Sequence, residues 1–257
     1  MTDPKQRFDL GERAALVTGG TRGLGRAIAK GLAQAGARVA ITGRTAEACE
    51  AAAKQLRDET GAEILPVACH MGDWEALPDL VETMTAAFGT LDVLINNAGI
   101  NPATLPITEI SEAYFDKLYD VNVKGPMRLA ALAAPVMAAN GGGSIVNVIT
   151  VGAYSGGPGQ ATYTSAKAAL LTLTKCMAQE WASHAIRVNA LAPGPFMTDM
   201  MKGTAEIPGF LEGAKNATLQ QRIAEPEEIV GAALFLASDA SSYMTGEDLV
   251  VAGGFRK

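Results

Sequence analysis

Seven short, nearly continuous apolar runs separated by longer stretches of helical periodicity constrain this chain more than any other feature. The runs lie at residues 14–17, 38–41, 64–67, 91–95, 144–149, 186–191 and 248–251. A strand with one wet face alternates apolar and polar residues, whereas a near-continuous apolar strand is covered on both faces. Between them lie Ala- and Leu-rich stretches over 24–35, 45–59, 74–88, 108–138, 161–184 and 226–237. Strands alternating with helices give parallel pairing, and right-handed crossovers then wind the helices onto both faces. The expected architecture is α/β: a doubly wound, mostly parallel, seven-stranded sheet with helices on both faces.

At 257 residues, 48% hydrophobic and 19% charged, the chain can bury a large core and is not of disordered composition. No Pro/Ser-rich linker, charge block or repeat divides it, so one domain over 1–257 is expected. One segment, about 193–222, breaks the rhythm. It carries Met197, Met200, Met201, Ile207, Pro208, Phe210 and Leu211, and reads as an apolar lid. A net charge of −6 argues against nucleic acid as a partner. Cys49, Cys69 and Cys176 have neither disulfide-framework nor zinc spacing, and His70 and His184 have no ligand spacing, so no metal is expected. With no signal-peptide pattern and no membrane-length apolar run, a cytoplasmic location is expected.

Directly after the first run comes Thr18-Gly19-Gly20-Thr21-Arg22-Gly23-Leu24-Gly25, leading into a helical stretch. Glycines at a strand-to-helix turn let backbone approach a pyrophosphate, and the helix start supplies free N–H donors. This placement favours a Rossmann-type dinucleotide site over an ordinary turn. The adenosine ribose is read at the end of the second strand, where an acid would bind the 2′-hydroxyl and repel a 2′-phosphate. The segment Ile41-Thr42-Gly43-Arg44-Thr45 has no acid there. Arg44, with Arg22 from the glycine loop, can pair with a phosphate, so NADP(H) is favoured and NAD(H) stays possible. Two solvated surface arginines are the alternative. Thr45 suits the N-cap of the next helix.

The pattern TGxxxGxG resembles the cofactor loop of the short-chain dehydrogenase/reductase family, and further motifs follow in order along nearly the whole chain. Asn96-Asn97-Ala98-Gly99 is similar to the family's NNAG, and Asn122 to its helix asparagine. Tyr163-Thr164-Ser165-Ala166-Lys167 matches YxxxK, Pro193-Gly194 the PG after strand six, and Thr198 the hydroxyl that meets the nicotinamide carboxamide. The resemblance implies cofactor contacts from Gly19, Thr21, Arg22, Gly23, Leu24, Gly25, Arg44, Asn97, Ala98, Gly99, Tyr163, Lys167, Pro193, Gly194, Phe196 and Thr198. It implies catalysis by Asn122, Thr150, Tyr163 and Lys167, and assembly as a homotetramer. Two positions depart from the pattern. Cys69-His70-Met71 lacks the Asp many members place near the adenine, and Thr150 stands where the family has serine, thirteen residues before the tyrosine.

Tyr163 and Lys167 are four apart on a helical stretch and share one face. A phenol titrates near 10, and a neighbouring ammonium favours its phenolate. The expected reaction is hydride transfer between nicotinamide and a carbonyl or secondary alcohol. Thr150 holds the oxygen, Tyr163 is the acid/base, Lys167 tunes it and binds ribose, and Asn122 keeps a relay water. Ser155 reads as part of the next loop. The lid, with Val151, Ala153 and Tyr154, suggests a mostly apolar pocket or simple packing. Two alternatives stay open: a 3-oxoacyl carrier-protein reductase, and a catalytically weak cofactor-binding relative with a regulatory or structural role.

Overall fold

The computed structural model describes residues 4–204 and 209–255. Its strands are β1 (Ala14–Val17), β2 (Arg38–Gly43), β3 (Ile64–Ala68), β4 (Val93–Asn96), β5 (Gly143–Val148), β6 (Ile186–Pro193) and β7 (Asp248–Val251). The helices are α1 (Gly23–Gln34), α2 (Ala46–Thr60), α3 (Leu77–Phe88), α4 (Glu112–Tyr119), α5 (Gly125–Ala139), α6 (Gly152–Ser155) and α7 (Ala161–Trp181). After them come α8 (Asp199–Thr204), α9 (Phe210–Asn216) and α10 (Val230–Ala237).

All seven strands form one sheet in the order β3-β2-β1-β4-β5-β6-β7, and every pairing is parallel. The period of two along a strand splits the core into two layers. Ala15 and Val17 of β1 pack with Ile28, Leu32, Leu56 and Leu236, from α1, α2 and α10. Ala14 and Leu16 face the other way, toward Leu80, Met84, Leu129 and Met137 of α3 and α5. Strand order reverses between β1 and β4, the place where an open parallel sheet leaves a crevice at its carboxyl ends.

The stretch over 108–138 is not one helix. A π-turn over Asp120–Lys124 separates α4 from α5. The cause is Pro126, which has no N–H for the carbonyl four residues back, that of Asn122, and whose ring crowds it. Apolar spacing runs on through the break, so periodicity alone does not reveal it.

The segment 193–222 is more ordered than a loop. Pro193 ends β6, and α8 and α9 follow within the segment. Met200 and Phe210 are exposed, whereas Phe196 is buried in the core. Ile207 and Pro208 lie outside the described residues. No described helix is long and apolar enough to cross a membrane.

Candidate active site

The glycine loop is held from beneath by two residues. Thr18 Oγ1 accepts from the backbone N–H of Asn97 and of Ala98, each at 3.0 Å. Asn97 Nδ2 donates back to the carbonyls of Thr18 at 2.9 Å and Gly19 at 3.3 Å. Asn97 thus spends its carboxamide on the loop and shapes it. Gly19 and Gly23 have φ of +64° and +54°, a region costly for other residues. A side chain at Gly25 would strike the Gly19 carbonyl and the Asn97 amide, so only glycine lets α1 start this close to β4. Arg22 is the N-cap of α1 and makes no side-chain cap bond. The opening N–H groups and the positive end of the helix therefore face the crevice, a cradle that fits a pyrophosphate. Leu24 packs against the core beside it.

At the adenosine end, Thr21 lies against Gly43, where a Cβ would come within 2.7 Å of the Thr21 methyl. Arg22 and Arg44 are the next residues on each side of that contact, and both are exposed. Arg44 makes no ion pair among the described residues, whereas Arg22 reaches Asp199 on α8 at 3.4 Å. Thr45 caps α2, accepting from the Ala48 N–H at 3.3 Å. His70 is exposed and folded onto its own turn, its Nδ1 accepting from the Gly72 N–H at 3.2 Å.

The catalytic candidates come from three elements. Lys167 is buried and its ammonium donates to the Val148 carbonyl, at the end of β5, at 2.9 Å. This pins α7 against the strand and sets heights along it, because α7 runs back antiparallel to β5. Tyr163, one turn nearer the helix start, stands roughly 6 Å beyond Lys167, and Thr150, two residues past Val148, is roughly 6.6 Å beyond that carbonyl. The tyrosine and the threonine thus both lie toward the crevice end of the two elements that Lys167 ties together. Thr150 Oγ1 accepts from the Gly152 N–H at 3.3 Å, leaving its own O–H available as a donor. Gly152 packs on the Thr164 methyl, which brings that turn onto the first turn of α7.

Burial pushes the Tyr163 phenol up to about 12 and the Lys167 ammonium down to about 8. A neighbouring ammonium was expected to lower the phenol; in the protein without cofactor, desolvation prevails. Tyr163 is thus a neutral acid at neutral pH.

Asn122 sits in the π-turn, fully buried. Its Nδ2 donates to the carbonyls of Ile100 at 2.9 Å and Leu118 at 3.0 Å, and its Oδ1 accepts from the Ile100 N–H at 3.1 Å. Both amide hydrogens are committed, so the side chain pins the segment after β4 instead of donating to a water. Gly99 lets these groups meet, since a Cβ there would come within 2.7 Å of Asn122 Oδ1 and 3.2 Å of Lys167 Nζ.

On the lid side, Thr198 lies beside the glycine loop, where a Cβ at Gly23 would meet its methyl at 3.6 Å. Pro193 ends β6, and Gly194, directly after it, leaves room for Ala252. Phe196 is buried, its ring packed in the core cluster. Tyr154 donates to Asp248 at 2.5 Å, so its hydroxyl faces β7 rather than the pocket. Sequence reading passed over Thr18, although it opens the motif, and over Asn101 and Gln160, which bond to each other at 2.9 Å. Gln160 could have been found from its place one turn before Tyr163; Asn101 carried no local signal.

A doubly wound sheet with a glycine cradle at its switch point and a Tyr–Lys pair at the crevice defines a dinucleotide-binding oxidoreductase class. The profile of the family described as Enoyl-(Acyl carrier protein) reductase matches residues 19–256. The chain is 41% identical over 249 residues to Dehydrogenase/reductase SDR family member 4 of Bos taurus, covering 97% of this chain and 89% of that protein. It is 38% identical over 246 residues to the 3-oxoacyl-(acyl-carrier-protein) reductase of Chlamydia muridarum, covering 94% and 96%. A gluconate 5-dehydrogenase from Burkholderia cenocepacia, solved with NADP and tartrate, superposes with a TM-score of 0.93 at 34% identity, over 98% of each chain. The chain belongs to the short-chain dehydrogenase/reductase family.

Proposed function

We propose that this protein is an NADP(H)-dependent oxidoreductase that interconverts a carbonyl and a secondary alcohol. The observation that carries this reading is the Tyr163–Lys167 pair on α7, with Lys167 bonded to the carbonyl at the end of β5, two residues before Thr150. The glycine cradle and the exposed Arg44 would hold the pyrophosphate and the 2′-phosphate, and Lys167 the nicotinamide ribose. The NADP in the gluconate 5-dehydrogenase supports the same choice. Bound, the nicotinamide supplies or takes up the hydride.

In the reductive direction Thr150 donates a hydrogen bond to the substrate oxygen. Tyr163 passes its proton to that oxygen as the alcohol forms, leaving a phenolate that the Lys167 ammonium stabilises. The phenol is then reprotonated through Lys167 and a water. That water is held by the backbone carbonyl of Asn122, which Pro126 leaves without its usual helical donor. A ketone and aldehyde panel read by NADPH absorbance tests the assignment. Tyr163→Phe should lose turnover about 10²–10⁴-fold with an unchanged melting temperature. Turnover near the unsubstituted level in that variant refutes the role of the phenol.

A 3-oxoacyl carrier-protein reductase is the second reading, favoured by the similarity to the Chlamydia muridarum enzyme. Turnover of 3-oxoacyl thioesters far above free ketones would select it. A single domain, a homotetramer and a cytoplasmic location complete the proposal.

A further inference from the structure

Above Tyr163 the crevice is bridged by side-chain amides. Gln160 precedes α7, and Gln160, Tyr163 and Lys167 fall at i, i+3 and i+7, one stripe along the helix. Lys167 lies at the inner end of that stripe, at the Val148 carbonyl, and Tyr163 one turn nearer the helix start, where the carbonyl–alcohol reading puts the reacting oxygen. Gln160 therefore stands one turn further out, where the rest of a substrate must lie. There its Oε1 accepts from Asn101 Nδ2 at 2.9 Å, and its Nε2 donates to Thr104 Oγ1 at 3.3 Å. The two loops also meet through backbone, the Leu105 N–H donating to the Gly159 carbonyl at 3.1 Å.

Asn101 is fixed from the other side as well, because the adjoining Ile100 is clamped by the Asn122 carboxamide. The pair is thus held in place from both loops. Both amides are half-buried and retain capacity: Asn101 Oδ1 accepts no bond among the described residues, and each NH₂ has a second hydrogen. Carrying both donors and acceptors and no charge, the two amides with the Thr104 hydroxyl suit neutral hydroxyls better than a carboxylate or a hydrocarbon.

We infer that Asn101 and Gln160 are specificity-determining residues that read hydroxyl groups on the substrate beside the reacting carbonyl. The substrate class is then a neutral, polyhydroxylated ketone, or the corresponding polyol in the oxidative direction. This rests on the carbonyl–alcohol reading above. A site built to bond a hydroxyl rejects the analogue lacking it, because the amides are then left unpaired.

The test compares ketone pairs on one carbon skeleton, fructose against 2-hexanone and dihydroxyacetone against acetone, with NADPH and the intact protein. In the unsubstituted protein kcat/KM should favour the hydroxylated partner by at least about tenfold. Asn101→Leu and Gln160→Met should each bring that ratio to within about threefold of unity, mainly through KM, while the melting temperature and NADPH fluorescence titrations stay unchanged. Those two unchanged readings establish that the variants are folded. Turnover of plain ketones with no preference for hydroxyls, or a ratio that survives both substitutions, overturns the inference and leaves the redox reading standing. No turnover of any ketone, aldehyde or thioester overturns both.

Discussion

Thr150 shows how one residue can be read from sequence in identity but not in function. Its place thirteen residues before Tyr163 marks it as serine's substitute. Only the structure shows its oxygen accepting from Gly152 N–H, which leaves the hydroxyl hydrogen available to donate. Thr150→Val keeps the shape and removes that donor, so kcat/KM for carbonyl reduction should fall by about 2–4 kcal/mol of transition-state stabilisation. Near-normal kinetics would remove Thr150 from the mechanism. Arg44 is the complementary case, exposed and without an ion pair among the described residues, whereas Arg22 shares its charge with Asp199. Such an exposed pair is weak and salt-sensitive. Arg44 should therefore dominate selection of the 2′-phosphate. Arg44→Asp should reverse the NADPH-over-NADH preference in kcat/KM, and an unaltered ratio would show that the cofactor is chosen elsewhere.

Among the elements, β5 and the turn that follows it organise the site. Lys167 ties α7 to the end of β5, and α6 leads away from Thr150 to Tyr154, which bonds Asp248 of β7. Burial and the adjacent carboxylate both raise the Tyr154 phenol well above its usual range, so it stays a donor at any working pH. A hydrogen bond to a charged acceptor contributes roughly 1.5–3 kcal/mol. Tyr154→Phe should lower unfolding stability by about that amount or somewhat less, since the bond is partly exposed. Because α6 is anchored at its far end by this contact, the variant should also raise KM for substrate. Urea melts matching the unsubstituted protein would show that the bond contributes nothing. The π-turn at 120–124 carries a different lesson. Apolar spacing across 108–138 suggested a continuous helix, and the break came from Pro126 acting on the hydrogen-bond ladder, which periodicity does not register.

For the whole molecule, the buried ammonium of Lys167 couples function to stability. Desolvation lowers its pKa from 10.5 to about 8 in the folded protein. Between those values the unfolded chain binds a proton that the folded one does not, so this group's contribution to stability rises with pH across that window and is lost again as pH falls through about 8. Lys167→Met has no such slope. The stability difference between unsubstituted protein and variant should therefore shift in favour of the unsubstituted protein as pH is raised from about 8 toward 10.5 in urea melts. A pH-independent difference would show that the folded-state pKa is not depressed. The exposed edge of β7, with Val250 and the fully exposed Tyr243 nearby, is the surface on which the proposed homotetramer would close. Light scattering at the monomer mass would refute it.

The parallel sheet, the glycine turn at its first crossover and the Tyr–Lys stripe were all legible in the chain, because each is written in spacings of a few residues: uninterrupted apolar runs, glycines at a strand end, an i,i+4 pair. Four other features were settled only by packing. Asn122 is spent on Ile100, Arg22 is drawn to Asp199, Asn101 meets Gln160, and Lys167 is buried beside Val148. These partners lie 19 to 177 residues apart, and no local period specifies which of several polar side chains will meet once the strands are in register. The direction of the pKa shifts belongs with them, since burial is a property of the assembled crevice and not of any residue in it.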